Sequence, residues 1–172
     1  MKKKSEKTGV IYIFTNPSFP EYVKIGYADD AKERLKTLNS SSAVPFAFRA
    51  YATYEVDHKL EDNKIHKIID TINPELRSID DVNGKKRKRE FFQMSKEQAY
   101  TLFECIAEIS GTKDRLHLVK ATENDIKAEV EASEIREMSV NRHHFKNIEF
   151  YSSLTNKYYY TRTSKQGTLS VF

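Results

Sequence analysis

The stretch YVKIGYADDAKERL, residues 22–35, decides how the surrounding chain folds. Its first five residues predict a short β-strand that ends at Gly26, because aromatic and β-branched residues alternate with one lysine. The two aspartates that follow can cap a helix that carries Arg34. A plain surface strand gains little from Lys24, whereas a site that handles a phosphate or lowers the pKa of a neighbouring group gains much.

A second predicted strand precedes this stretch, at VIYIF in residues 10–14, and an Asn-Pro pair ends it. The two strands together predict a hairpin. Side chains alternate between the two faces of a strand, so Tyr12 and Lys24 fall on the face opposite to the aliphatic residues. If the aliphatic face is the core, Tyr12 and Lys24 share the open face of the hairpin.

The whole chain predicts an α+β fold, in which helices flank a small three-stranded antiparallel or mixed sheet and a helix-and-strands extension follows. The further predicted elements are a helix capped by Asp29 or Asp30, a strand at 46–55, a helix opened by Asp57, a polar basic loop at 73–89, a strand at 90–94, a helix from Ser95 to Gly111, an acidic helix at 122–138 and two or three short strands at 145–172. We expect a flexible basic arm (1–7), a compact domain (8–112) and an extension (113–172) that serves specificity, packing or oligomerisation.

The composition bounds the class of protein. With 172 residues, 38% of them hydrophobic, and ten each of Tyr and Phe, the chain can form one core with a small appendage. No apolar run reaches the roughly 18 residues of a membrane span, and no apolar segment follows the basic start as it would in a secretory signal. Cys105 is the single cysteine; we expect it to be buried, and one thiol fits a reducing cytoplasm.

The charge distribution favours an anionic partner. The net charge is +4 and the isoelectric point is near 9.0. Residues 85–89 form an unbroken basic run, whereas the charged residues among 122–137 are mostly acidic. The basic run is either a solvated loop or a segment that binds an anionic partner.

Several motifs in order give residues 8–110 a resemblance to a known superfamily. The motifs are VIYIFTN at 10–16, KIG at 24–26, Arg34, LNSSSAVPFAF at 38–48, Glu61 with His66, and REFF at 89–92. Together they resemble the GIY-YIG endonuclease superfamily, and more closely its bacteriophage-type DNA-binding branch, in which the second motif is KIG. Val10 stands where the name-giving glycine of the first motif would be, and the late asparagine of the superfamily has no match here.

This resemblance implies hydrolysis of phosphodiester bonds in DNA with one divalent ion, Mg²⁺ or Mn²⁺. The implied roles are activation of water or relay of its proton by Tyr12, replacement of the second-motif tyrosine by Lys24, steadying of the scissile phosphate by Arg34, help with proton transfer by His66, and metal binding by Glu90. It also implies a bacterial or phage source. With DNA as the implied partner, the predicted DNA contacts are Lys85, Lys86, Arg87, Lys88, Arg89 and Arg49.

The residue types suit that chemistry. A tyrosine with a pKa of about 10 is a poor base at neutral pH, but an ammonium within about 4–6 Å stabilises its ionised form. Lys24 can therefore make Tyr12 a usable base, or it can contact the phosphate itself. Gly26 lets the backbone approach a ligand, and the guanidinium of Arg34 matches phosphate oxygens. One carboxylate such as Glu90 is sufficient for Mg²⁺, which usually keeps several waters.

Each candidate residue also has an ordinary structural explanation. The alternatives are a packed sheet aromatic for Tyr12, a solvated strand lysine for Lys24, a pair with Asp30 for Arg34, a core histidine with satisfied hydrogen bonds for His66, and a pair with Arg89 for Glu90. Three functions follow: a metal-dependent DNA endonuclease, a non-catalytic DNA-binding module on the same fold, and a regulatory protein that uses the acidic helix and the tyrosine-rich tail for protein contacts.

Overall fold

The structure, a computed structural model, describes residues 9–57, 61–144, 149–152, 157–163 and 169–171. The chain divides into two compact units, with the boundary after Ala128. The elements in order are β1 Gly9–Thr15, β2 Tyr22–Ala28, α1 Ala31–Asn39, β3 Arg49–Val56, α2 Glu61–Ile72, a 3₁₀ turn Pro74–Leu76, β4 Arg77–Val82, β5 Lys85–Gln93, α3 Lys96–Ile109, a 3₁₀ turn Lys113–Arg115, β6 Leu116–Leu118, α4 Glu123–His144, β7 Glu149–Ser152, β8 Lys157–Thr163 and β9 Leu169–Val171.

The first unit is built on one sheet with the strand order β4-β5-β2-β1-β3-β6, and all five neighbouring pairs are antiparallel. The α+β class is therefore confirmed. The sheet has six strands where three were predicted, because β4, β6 and a longer β5 add to the hairpin and β3.

Both faces of the sheet are covered. Ile11 and Ile13 belong to the larger core cluster, which includes residues of α2 and α3, whereas Tyr12 and Phe14 belong to a second cluster with residues of α1. The predicted alternation is confirmed, but the open face was a wrong expectation. Helix α1 packs against the cluster that contains Tyr12, which is 1% exposed, and Lys24 beside Glu90 and Phe91 is only 7% exposed.

Local signals set the helix ends. The side chain of Asp30 accepts hydrogen bonds from two amides of the first turn of α1, as predicted. Ser95 and Gln98 form a reciprocal capping box at α3. Gly111 follows that helix with a φ of 66°, a conformation that favours glycine.

Two expectations are wrong. Residues 73–89 are not a loop, because β4 and β5 pair across a turn in which Asn83 and Gly84 both have positive φ. Cys105 was expected to be buried, and it is exposed. The expectation that Asp57 opens α2 depends on residues 58–60, which lie outside the described residues; the carboxylate of Asp57 accepts a hydrogen bond from Arg115 at 2.9 Å.

The second unit contains the three-stranded antiparallel sheet β7-β8-β9, so the predicted strands are confirmed. The acidic helix predicted at 122–138 corresponds to α4. The predicted arm (1–7) and the turns at 155–156 and 166–167 lie outside the described residues. Within the described part of the chain, every helix is too short or too polar to cross a membrane.

Candidate active site

The candidate site is centred on Gly26, which lies directly opposite Tyr12 in the β1–β2 pair. A Cβ atom added to Gly26 would lie 2.5 Å from the hydroxyl oxygen of Tyr12 and 3.3 Å from Oε2 of Glu90. The two oxygens are therefore no more than 5.8 Å apart, the total of these two distances. The absence of a side chain at Gly26 is what lets the phenol and the carboxylate meet above one backbone atom.

Arg34 reaches Tyr12 from helix α1. Its Nε donates to the hydroxyl oxygen of Tyr12 at 3.5 Å. This hydrogen bond raises the pKa of Arg34, and the charges of Tyr12 and Glu90 raise it further. Burial lowers the pKa, but the net pKa lies above its usual value. The guanidinium therefore keeps its positive charge beside the phenol.

Lys24 and Glu90 form an ion pair at the same place. The ammonium of Lys24 donates to Oε2 of Glu90 at 2.5 Å and lies 5.1 Å from the centre of the Phe91 ring. Burial raises the pKa of Glu90, but the hydrogen bond and charge of Lys24, together with the charges of His66 and Arg34, outweigh it, so the pKa lies below its usual value. Glu90 is therefore a carboxylate at neutral pH, and its side chain is 42% exposed.

A break in strand register brings Glu90 to this position. The β4–β5 pairing shifts between Arg77 and Ile79, and β5 accommodates extra residues just before Phe92. Successive side chains of a regular strand point to opposite faces, yet Glu90 and Phe91 both contact the ammonium of Lys24. The bulge therefore aims the carboxylate at the Tyr12 face of the sheet.

His66 is buried between α2 and β2, and both of its ring nitrogens bond inside the protein. Nε2 lies 2.9 Å from the carbonyl oxygen of Ile25, and Nδ1 lies 3.4 Å from the guanidinium of Arg77. A guanidinium only donates, so the tautomer that satisfies both contacts accepts at Nδ1 and donates from Nε2 to Ile25. His66 therefore ties helix α2 to the strand that carries Lys24 and Gly26.

Arg77 is held in turn by Asp70. Oδ2 of Asp70 accepts from Arg77 at 3.0 Å and from Lys88 at 2.9 Å. Burial raises the pKa of Asp70, but these two cations lower it more, and the net pKa lies below its usual value. Sequence analysis missed both residues. Asp70 follows His66 by four positions on one helix face, a spacing that indicates proximity, whereas Arg77 lay in the presumed loop and gave no signal.

The structure brings Tyr12, Lys24, Arg34 and Glu90 together around Gly26, and His66 reaches the same strand. The partners differ from the prediction that paired Lys24 with Tyr12. The ammonium of Lys24 bonds to Glu90, and the guanidinium of Arg34 bonds to Tyr12.

The predicted DNA contacts separate into two groups. Arg49 forms an ion pair with Asp125 at 2.6 Å, and Lys88 and Arg89 pair with Asp70 and Asp80. The other three, Lys85, Lys86 and Arg87, are exposed at the far end of the β4–β5 hairpin. Among the described residues, this second group differs from the first in that its members form no ion pair.

The donor set fits a metal with one protein ligand. Among the described residues, no three His, Cys, Asp or Glu side chains are grouped as metal ligands. Glu90 offers an ionised carboxylate that is partly exposed, and Mg²⁺ usually binds through one or two carboxylates while it keeps several waters.

Comparison with known proteins gives one match. The sequence model of a family described as the T5orf172 domain matches residues 9–107, more than half of the chain. No curated protein and no solved structure matches. The matched residues include all five predicted site residues and the β4–β5 hairpin.

Proposed function

Because the chain belongs to the T5orf172 domain family, a phage-associated family in an endonuclease-related clan, we propose that it is a metal-dependent DNA endonuclease of the GIY-YIG type. The observation that carries the proposal is the meeting of a phenol, a guanidinium and an ion-paired carboxylate above Gly26. Stability alone does not account for this set, because a buried ion pair often stabilises a fold no more than apolar side chains of the same volume would.

Tyr12 and Arg34 form the half of the site that handles water and phosphate. The positive charge of Arg34 beside the hydroxyl favours the ionised phenol, which can then take a proton from water. The remaining nitrogens of the guanidinium suit the oxygens of the scissile phosphate. In this arrangement Arg34 has the activating role that sequence analysis gave to Lys24.

Lys24 and Glu90 form the metal-binding half. Lys24 keeps Glu90 ionised, and Glu90 would hold Mg²⁺ or Mn²⁺. A bound divalent ion polarises the phosphoryl oxygen and stabilises the charge that develops in the transition state. We propose that His66 positions the strand through Ile25; a role in proton transfer would require it to give up one of its two internal hydrogen bonds.

The direct test is cleavage of supercoiled plasmid DNA by the purified chain with Mg²⁺ or Mn²⁺. We expect nicking that Glu90→Gln abolishes, while DNA affinity in a gel-shift assay stays near that of the wild type. Glu75→Gln, at an exposed glutamate outside the site, is the matched control and should cut normally. Undiminished cutting by Glu90→Gln would remove this carboxylate from the mechanism.

A second function is favoured by one specific observation. The hydrogen bond from Lys24 occupies Oε2 of Glu90 at 2.5 Å, so the pair neutralises itself without a metal. This arrangement also fits a non-catalytic DNA-binding module. DNA binding with a steep salt dependence, but no cleavage with either metal, would support that function. No affinity for DNA at low salt would instead favour a protein-interaction role.

A further inference from the structure

The β4–β5 hairpin extends beyond the rest of the sheet. Strand β2 pairs with β5 only at residues 91–93, whereas β4 pairs with β5 from residue 85 to residue 92. Among the described residues, 79–88 therefore form a two-stranded ribbon that ends in the turn at Asn83 and Gly84. Residues 81–89 are all exposed.

The unpaired positive charge lies at the tip of this ribbon. Lys88 and Arg89, near its base, are paired with carboxylates. Within the described part of the chain, Lys85, Lys86 and Arg87 form no ion pair, and neither does Asp81, which faces Lys86 across the strands. The three tip cations are therefore available to an external anion.

The dimensions of the ribbon match one groove of DNA. Its four outer residue pairs, at about 3.4 Å per residue, span about 14 Å. The major groove of B-form DNA is about 12 Å wide and 8.5 Å deep and admits a two-stranded ribbon, whereas the minor groove is only about 6 Å wide. The ribbon is long enough to reach the floor of the major groove, which is the groove that admits a two-stranded ribbon in undeformed B-form DNA.

The ribbon is also joined directly to the candidate site. One strand, β5, contains both the tip cations and Glu90. With a phosphate at Glu90 and Arg34, the tip cations lie three to five residues away, about 10–17 Å along the strand, which is within reach of the adjacent groove. Side chains cannot read the deep, narrow major groove of A-form RNA, so duplex RNA is a poorer match.

We propose that the β4–β5 hairpin enters the major groove of double-stranded DNA, with Lys85, Lys86 and Arg87 contacting its phosphates and base edges. The proposal rests on the proposed function for its choice of DNA as partner. It adds the form of the substrate, a duplex with an open major groove, and the element that holds the duplex in register with Glu90.

Footprinting with dimethyl sulfate tests this proposal, because the reagent methylates guanine N7 in the major groove and adenine N3 in the minor groove. The full-length Glu90→Gln chain is bound to a mixed-sequence duplex, and the wild-type chain is footprinted in parallel without divalent metal. We expect protection of guanine N7 and unchanged reactivity of adenine N3. The triple variant Lys85→Gln/Lys86→Gln/Arg87→Gln should lose the protection.

The salt dependence gives a second measurement. If all three cations neutralise phosphates, the triple variant should reduce the slope of log affinity against log salt by about 2.7, at about 0.9 per contact. The matched control is Lys64→Gln/Lys67→Gln/Lys120→Gln, which removes three exposed lysines elsewhere and should keep the N7 protection. Thermal melts of both variants confirm that they are folded.

The outcomes separate this proposal from the endonuclease proposal. N7 protection without cleavage by the wild type would support the hairpin and overturn the enzyme. Protection at adenine N3, or unchanged N7 protection in the triple variant, would overturn the groove assignment even if the protein cuts DNA. Absence of binding to any duplex would overturn both.

Discussion

Substitution of Gly26 by alanine is the sharpest test of the site geometry. The new Cβ would lie 2.5 Å from the hydroxyl oxygen of Tyr12, 2.9 Å from Cζ of the same ring and 3.3 Å from Oε2 of Glu90. Ordinary contact begins near 3.4 Å, so the hydroxyl must retreat by about 0.9 Å. The ring cannot move easily, because it is buried and stacks on Phe14 with ring centres 3.9 Å apart.

The expected cost has two parts. Overpacking of a filled core costs about 1–3 kcal/mol in the free energy of unfolding. In catalysis, a displacement of about 1 Å can lower the rate by about 10²-fold, because the hydroxyl loses its alignment with Arg34 and the phosphate. DNA affinity should change little, since the exposed cations of the hairpin lie elsewhere.

The assay combines urea denaturation with plasmid nicking, and Gly9→Ala is the matched control. A Cβ at Gly9 would lie 2.1 Å from the hydroxyl of Tyr27, a similar clash of a glycine with a tyrosine, at the start of β1. We expect Gly9→Ala to lose stability but to retain cutting. Adding Tyr12→Phe to Gly26→Ala removes the clashing oxygen and should restore part of the stability, with a coupling energy of about 0.5–3 kcal/mol, but no activity.

The reasoning fails if Gly26→Ala unfolds at the wild-type urea concentration and cuts DNA at the wild-type rate. It also fails if both glycine variants lose activity equally. The first result would mean that Tyr12 does not pack against Gly26 in solution, and the second that the loss reflects stability alone.

Three further predictions concern the charged groups. Folding lowers the pKa of Glu90, so its pair with Lys24 stabilises the fold at pH values above the usual carboxyl pKa near 4.5. That stabilisation is lost as the pH falls through the lowered pKa. The free energy of unfolding of Lys24→Met, measured by urea denaturation, should therefore decrease less on acidification than that of the wild type. Asp70→Asn should cost about 1–3 kcal/mol in urea denaturation, because Arg77 is left buried with a weaker partner, and the more exposed Asp80→Asn should cost about 0–1 kcal/mol. Arg34→Lys replaces the planar guanidinium, which can donate two hydrogen bonds to one phosphate, with a single ammonium. This variant should nick plasmid DNA at least about 10²-fold more slowly, with little change in DNA affinity in a gel-shift assay.

The central hairpin was predictable because its signals are local. Alternating aliphatic and aromatic residues specify β1 and β2, and the caps at Asp30 and Ser95 specify where α1 and α3 begin. The β4–β5 hairpin was missed because both of its faces are charged, so the alternation that marks a half-buried strand is absent. Its Asn83-Gly84 dipeptide was the available signal for a two-residue turn.

The members of the site were easier to predict than their partners. Tyr12, Lys24, Arg34 and Glu90 could each be picked out along the chain, but which cation meets which oxygen depends on strand register. The shift that turns Glu90 towards Lys24 arises from the pairing of β5 with β4, two strands whose contact the sequence did not indicate. Burial of Lys24 beside Glu90 and Phe91 likewise depends on tertiary packing.

The charge balance of the assembled site predicts the kind of ligand that the site accepts first. Two cationic side chains, Lys24 and Arg34, face one carboxylate, Glu90, and one phenol, Tyr12. With the phenol in its neutral form, the site has an excess of one positive charge in a partly desolvated setting, where charges interact more strongly than in water. A lone divalent cation is opposed by that excess, whereas a phosphate diester neutralises it. We therefore predict that a phosphate diester binds before a metal ion does, because it removes the excess positive charge that opposes the metal ion at Glu90.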